Sequence, residues 1–334
     1  MKAAVLHAPK DLRVEQTPSP VPGDGEVLVR VRGSGLCGTD DRIWSGERPV
    51  RYPLILGHEF IGEVAGVGNG VTRVKPAQRV AIEPNYSCGV CALCREGNSN
   101  LCLDRTAIGI DVPGGFAELA VVPERCCWPA PPGLGDDQLL LTEPLAVVVR
   151  AVNRSGAKAG ECAVVLGAGS LGLLACQVLR ALGVRVLVLS RTERRLALAR
   201  DLGAEATASL VKASGVEVAR RFSGRDGVDL VIETAGTAEA IEEAVKLVKP
   251  AGRVVLVGLP HSPSSINFFW VVRREISLIG SMIYQKEFPE ALRLLSEGKV
   301  RTAPLLTHRF SLDEVQSAFS AYRSGEAIKI AVVP

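Results

Sequence analysis

The stretch Cys162-Ala163-Val164-Val165-Leu166-Gly167-Ala168-Gly169-Ser170-Leu171-Gly172 decides the fold of this chain. Its first five residues are apolar and end at a glycine, the pattern of a short buried strand. Its last six have the spacing G-x-G-x-x-G, and an apolar, helix-like run follows over residues 171–182. Strand, glycine turn and helix in that order open a βαβ unit, the setting in which this spacing means dinucleotide binding. Gly167 permits the tight turn, Gly169 lets the backbone approach a pyrophosphate, and Gly172 lets helix and strand pack closely. Ser170 and Leu171 stand at the helix N-terminus, where unpaired N–H groups and the helix dipole favour phosphate. The competing reading is a glycine-rich turn that binds nothing; the strand–turn–helix context weighs against it.

Downstream, a second strand is expected over 184–189. It ends Leu189-Ser190-Arg191, with Arg194 and Arg195 following. An acidic residue at this point would grip the ribose 2′-hydroxyl of NAD. There is none. The hydroxyl of Ser190 and the guanidinium groups of Arg191 and Arg195 suit a 2′-phosphate, because arginine offers phosphate a planar, charged fork. The expectation is NADP in preference to NAD, with NAD still possible; the alternative is that these arginines form an exposed helix face. A charged helix is expected over 192–202, and strands over 228–232, 253–257 and 276–279. Strands alternating with helices imply a parallel sheet covered on both faces. The fold class is therefore α/β, a Rossmann-type doubly wound sheet over residues 145–281.

Upstream the pattern differs. The first ~140 residues are β-rich, with apolar runs at 27–31, 60–67 and 78–82 separated by Gly, Pro and Asn. Pro18, Pro20, Pro22 and Gly23 make an early loop. Residues 284–334 offer two helix-like stretches and a strand at 328–333, too little for a core of their own. They are expected to complete the first domain, giving residues 1–144 with 282–334 as one domain and 145–281 as the other. The length of 334 residues also exceeds the roughly 250–300 at which single cores stop growing.

The net charge is only +3 and the basic residues are scattered, which argues against nucleic acid as a partner. No run approaches the ~18 apolar residues of a membrane span. The N-terminus lacks the features of a signal peptide, so a cytoplasmic location is expected. Nine cysteines in a reducing compartment point to metal rather than disulfides.

Four of them cluster as Cys88, Cys91, Cys94 and Cys102, a C-x2-C-x2-C-x7-C spacing. Four thiolates on one short loop fit a closed tetrahedral zinc site, which leaves no position for substrate and is therefore structural. An iron–sulfur cluster is the rival, but the last spacing departs from the ferredoxin run. Cys126, Cys127, Cys162 and Cys176 read as packing residues.

Two further motifs, Cys37-Gly38-Thr39-Asp40 and Gly57-His58-Glu59, each follow an apolar run. Joined to the cysteine lobe, the glycine turn, Glu83-Pro84 and Thr142-Glu143-Pro144-Leu145, they make the chain resemble the zinc-dependent medium-chain dehydrogenase/reductase family. The resemblance spans essentially the whole chain and is strongest to the polyol, sorbitol dehydrogenase-like branch, with threonine dehydrogenase the rival. It implies a partly closed, GroES-like β-barrel in the catalytic domain and an active site in the cleft between domains. It also implies two zinc ions per chain, one structural and one catalytic, the latter held by Cys37, His58 and Glu59. Glu143 matches a second carboxylate that can exchange into the ligand set. Three protein ligands leave a position open, where the metal acts as a Lewis acid on an alcohol or carbonyl oxygen. By the same resemblance Thr39 bonds the substrate oxygen and passes its proton, while hydride moves to or from the nicotinamide.

One position departs from the family pattern. Where many relatives place a relay histidine, this chain has Arg42, which stays charged and cannot relay a proton by titrating. Three readings remain open: an exit through Thr39, a cofactor ribose hydroxyl and water; an anion contact by Arg42 to a cofactor or substrate phosphate or carboxylate; or a surface arrangement with Asp41. The leading expectation is an alcohol or polyol dehydrogenase, with threonine or a phosphorylated polyol as alternative substrates. Rivals of other classes are a catalytically silent nucleotide-binding zinc protein and a zinc-independent reductase of the same fold. The stretch 266–282, with Phe268, Phe269 and Trp270, is a candidate contact for a homo-oligomer, tetramer or dimer. Trp44, Phe116 and Trp270 are candidates for the substrate pocket.

Overall fold

The computed structural model describes residues 1–260 and 262–334, and it divides the chain into two compact units. Unit 1 comprises Met1–Glu143, Phe288–Ser296 and Thr302–Pro334; unit 2 comprises Pro144–Glu287 and Glu297–Arg301.

Unit 1 is built around the strand Glu26–Leu36, whose residues alternate between buried and exposed before becoming fully buried at the end. It pairs antiparallel with Glu59–Val67 on one side and with Lys329–Val333 on the other. Strands Arg79–Ile82 and Cys127–Pro129 extend the sheet beyond Glu59–Val67, and Leu306–Ser311 extends it at the opposite edge. Register shifts at Leu28/Val29 and Val31/Gly33 curve the central pair. Val27, Val29, Val31, Phe60, Val64, Val80 and Val122 fill the curved interior. A second cluster gathers Leu6, Leu36, Leu56 and Phe116 with Phe319 from the C-terminal helix Val315–Arg323. The C-terminal segment thus supplies both a central strand and a wall of this core.

Unit 2 is a six-stranded parallel sheet. Its spatial order is Ala206–Ser209, Arg185–Ser190, Cys162–Leu166, Val228–Glu233, Val248–Leu256, Ser277–Gly280. The strand that comes first in the chain lies at the centre and the chain then winds outward in both directions, the doubly wound order of dinucleotide-binding folds. Every residue of Cys162–Leu166 is buried, as a strand covered on both faces requires.

Two local differences from the sequence reading have physical causes. Pro250 and Gly252 read as a turn, which places the start of that strand at Arg253. It begins at Val248 instead, the turn-like residues being absorbed by a register shift and by Ala251 at φ 56°. The strand Leu306–Ser311 has no counterpart in the sequence reading. It alternates half-buried and exposed side chains at a sheet edge, with three polar residues in succession at 307–309, and pairs parallel with Lys329–Val333. Among the described residues no helix is long and apolar enough to cross a membrane.

Candidate metal centres and cofactor turn

The cysteine lobe is a tight reversal of chain. Gly89 and Gly97 sit at φ +75° and +83°, where a side chain would be strained. They fold the loop so that Cys88, Cys91, Cys94 and Cys102 converge. The sulfur–sulfur separations are 3.5 Å for Cys91–Cys94 and Cys88–Cys102, 3.8 Å for Cys91–Cys102 and 4.0 Å for Cys88–Cys94. A zinc–sulfur tetrahedron with bonds of about 2.3 Å has edges of about 3.8 Å, so the four thiols fit that ion. Backbone N–H groups of Val90 and Cys91 aimed at the Cys88 sulfur bring its thiol down to about 7. At Cys102 the Cys88 N–H is outweighed by burial and the neighbouring Cys88 sulfur, which push that thiol up to about 11; the first proton thus leaves the Cys88 side of the pair. Cys126, Cys127, Cys162 and Cys176 are buried and unbridged.

The second group is assembled from three neighbouring strands and one helix. Cys37 caps the helix Gly38–Ser45, and Asp40, fully buried, closes a capping box by accepting the Cys37 N–H at 2.9 Å. The other oxygen of Asp40 accepts the Gly57 N–H at 3.3 Å and faces His58 Nδ1 at 3.3 Å. Gly57 is at φ +91°, and a Cβ there would meet Phe116 and Ser34 at 2.7 Å. Only glycine turns the chain here, bringing His58 and Glu59 to the start of their strand. The ligand atoms of Cys37, His58 and Glu59 lie within 4.8 Å of one another.

The donor set passes a test of fit for zinc. One thiol, one imidazole and one carboxylate leave a fourth position, the composition of an open zinc site. Burial alone pushes the His58 imidazole down; the charge and hydrogen bonds of Asp40 and Cys37 outweigh it and raise it. A field that holds a proton on a buried imidazole suits a metal cation equally. Asp40 stands where a carboxylate can orient the His58 ring from behind.

Glu59 has a partner of its own. Lys329 Nζ pairs with Glu59 Oε2, and both side chains are almost fully buried. Burial opposes the lysine charge; Glu59, Cys37 and Glu143 outweigh burial and raise the lysine pKa. Gly35, between them on the central strand, makes the room: a Cβ there would collide with the Glu59 carboxylate and lie 3.2 Å from Lys329 Cε. Glu143 falls outside the 4.8 Å group, although its charge acts on Lys329. Thr39 is half-buried two residues beyond Cys37.

Asp40 and Lys329 carry no assignment from sequence. For Asp40 a signal exists, the acid three residues after a helix cap. For Lys329 the only signal is a lysine opening an otherwise apolar strand, a residue type that is buried only when paired.

In unit 2 the glycine turn has the geometry its spacing predicts. Gly167 is at φ +105°. A Cβ on Gly172 would overlap the Gly167 carbonyl, whereas one on Gly169 would meet nothing within 4 Å. The space beside Gly169 is open, and Ser170 and Leu171 begin the helix Ser170–Ala181. Ser190 ends the neighbouring strand with its Oγ accepting the Thr192 N–H at 3.2 Å. Arg191 is exposed and Arg195 half-exposed just beyond it.

Two expectations change, and a third residue finds its partners. Asp41 is engaged by Arg323 at 2.7 Å, so the surface pairing of Arg42 with Asp41 is lost. Phe116 is fully buried in the core of unit 1 and lines no substrate pocket. Trp44 stacks on Phe319 at 5.7 Å between centroids and carries the Arg323 guanidinium 4.0 Å from its own ring centroid.

Two family models match separate stretches of the chain. The alcohol dehydrogenase GroES-like domain matches residues 23–132, and the zinc-binding dehydrogenase domain matches residues 170–297. A sorbitol dehydrogenase of Halalkalibacterium halodurans is 34% identical, over 100% of this chain and 99% of its own length. The chain belongs to the zinc-dependent medium-chain dehydrogenases, of the polyol dehydrogenase type. This dehydrogenase is an oxidoreductase acting on alcohols. Its fold is shared with a solved zinc-binding dehydrogenase of Sinorhizobium meliloti bound to NADP (TM-score 0.96, 35% identity, covering 100% of this chain and 99% of the other). Galactitol-1-phosphate dehydrogenase of Escherichia coli matches over the full length of both chains, with TM-score 0.94 and 31% identity.

Proposed function

We propose that this dehydrogenase transfers hydride between the carbinol carbon of an alcohol or polyol, or the corresponding ketone, and NADP(H). The observation that carries this reading is the convergence of Cys37, His58 and Glu59 within 4.8 Å, with Thr39 beside them. A silent nucleotide-binding protein would have no use for an open donor set so fully supported from behind. Zinc held there would supply Lewis acidity toward the substrate oxygen.

The chain's own residues do the rest. Asp40 holds the His58 ring in one orientation, and Lys329 holds the Glu59 carboxylate against free rotation. Thr39 offers the hydroxyl that receives the substrate proton, and Glu143 is the second carboxylate at the site. Arg42 cannot relay that proton by titration. Cys88, Cys91, Cys94 and Cys102 hold a second, structural zinc. Gly167, Gly169, Ser170, Leu171 and Gly172 cradle the pyrophosphate, while Ser190, Arg191 and Arg195 take the 2′-phosphate of NADP. Phe268, Phe269 and Trp270 are 62%, 59% and 49% exposed on the helix Phe268–Arg273; we propose that they are covered in a homo-oligomer. We place the enzyme in the cytosol, where thiols stay reduced and available to metal.

The test is a screen of polyols and simple alcohols with both cofactors, read as absorbance of the reduced nicotinamide, alongside metal analysis. Turnover with about two zinc per chain and better use of NADP is expected. Absence of turnover on every alcohol would overturn the catalytic reading. Ser190→Asp should shift preference toward NAD by about tenfold or more, one charged contact being exchanged for another. A wild-type enzyme that already prefers NAD would overturn the assignment of Ser190 and Arg191.

A further inference from the structure

Beside the Cys37–His58–Glu59 group, unit 1 gathers three arginines that have no acid to themselves. Arg42 lies on the helix that Cys37 caps. Arg48 closes the loop after that helix, its N–H donating to the Arg42 carbonyl at 3.0 Å. Arg105 belongs to a separate segment, where Asn85 Oδ1 accepts its Nη1–H, and its charge acts on Arg48. Arg48 is half-buried and feels both of the others: burial, Arg105 and Arg42 disfavour its charge, and Asp111 and Asp40 favour it.

Those two acids are already committed. Asp40 accepts the N–H groups of Cys37 and Gly57 and faces His58. Asp111 accepts the Ala107 N–H at 2.8 Å. Asp41, the remaining neighbour, pairs with Arg323. Among the described residues, none of Arg42, Arg48 and Arg105 forms an ion pair with an acid. Asp111 and Asp40 thus give three guanidinium ions only a shared and partly committed counter-charge; an added anion would complete it, and a planar fork binds an oxyanion in two-point fashion.

We propose that Arg48 and Arg105, with Arg42, form a subsite for an oxyanion, phosphate or carboxylate, carried by the substrate away from its reacting hydroxyl. The substrate class is then an anionic polyol or hydroxy acid. Asp40 links the two halves of the site: one of its oxygens caps the helix that carries Arg42, and the other faces His58. This inference rests on the proposed function for the meaning of "substrate", and the binding measurement below is independent of turnover.

Sorbitol, sorbitol 6-phosphate and gluconate are titrated calorimetrically into the zinc-loaded enzyme without cofactor. One anionic probe is expected to bind about tenfold or more tighter than sorbitol, and which one does so distinguishes phosphate from carboxylate. The advantage should shrink between about 50 and about 300 mM salt, where screening strengthens. Arg48→Gln and Arg105→Gln should each reduce the ratio of anionic to neutral affinity about tenfold; Arg48→Lys, which keeps the charge and loses the fork, should reduce it less. Equal binding of all three probes overturns the subsite, as does an advantage that survives both glutamine variants at unchanged melting temperature. Weakened NADP binding in Arg48→Gln with the anionic advantage intact also overturns it, assigning the cluster to the cofactor. If no alcohol is turned over but the anionic advantage appears, the proposed function fails and the subsite stands. Turnover of neutral polyols with no anionic advantage has the opposite meaning.

Discussion

The cysteine lobe and the Cys37–His58–Glu59 group both gather metal-ligand side chains, yet they are held in opposite ways. The lobe draws every ligand from one short loop, Cys88 and Cys102 being 14 positions apart. It has little apolar support: the short helix Ala92–Arg95 buries no residue, and Val90 and Leu103 are 71% and 88% exposed. The second group takes Cys37 from a helix cap, His58 and Glu59 from a strand start, and its supporting Lys329 from the end of the chain. It is walled by the core that contains Leu36, Leu56 and Phe116. The lobe therefore depends on ligation for its order, whereas the second group is a product of the sheet and should outlast its metal.

That contrast can be broken or sharpened by measurement. The largest effect is expected from His58→Ala: kcat/KM should fall about a thousandfold, the several kcal/mol a Lewis acid supplies, and zinc should drop from about two to about one per chain. Retained activity would mean that the chemistry lies elsewhere. Next is Lys329→Met, which strands the buried Glu59 carboxylate. Urea titration should show a loss of about 3–5 kcal/mol, and adding Glu59→Gln should restore most of it. A single mutant as stable as the wild type would show that the pair is not an electrostatic unit.

Chelation comes third. Amide exchange in the 88–102 loop should accelerate about a hundredfold, as ligation energy that doubled as folding energy is removed, while residues 26–36 and 59–67 keep their protection. Equal loosening of both regions would erase the distinction. Asp40→Asn should weaken metal at the second group by about 10–100-fold with the lobe's metal unchanged, measured by competition with a zinc indicator. The smallest effect is Val90→Ser, within about 0.5 kcal/mol, because an exposed side chain on a ligated loop contributes little burial.

The two groups also differ in how far the chain's linear pattern discloses them. Cys88, Cys91, Cys94 and Cys102 declare themselves by spacing, and so do Gly167, Gly169 and Gly172, because their chemistry is completed within one loop or one βαβ turn. Cys37, His58 and Glu59 are legible only through resemblance. Nothing in the local pattern joins residues 37 and 58. The strand Val248–Leu256 is partly hidden because Pro250 and Gly252 imitate a turn when their neighbours in the sheet are unknown.

Sequence alone determined the glycine turn, the alternating α/β order of unit 2 and the convergence of the lobe's four thiols. In each, the interacting residues are close along the chain and backbone geometry does the rest. Tertiary structure decided that Asp40 stands behind His58, that Lys329 neutralises Glu59 beside Gly35, and that Arg323 rather than Arg42 takes Asp41. Those are pairings of charge across strands and helices far apart in sequence. A buried or crowded charge chooses its partner by distance in space, and only the folded sheet sets that distance.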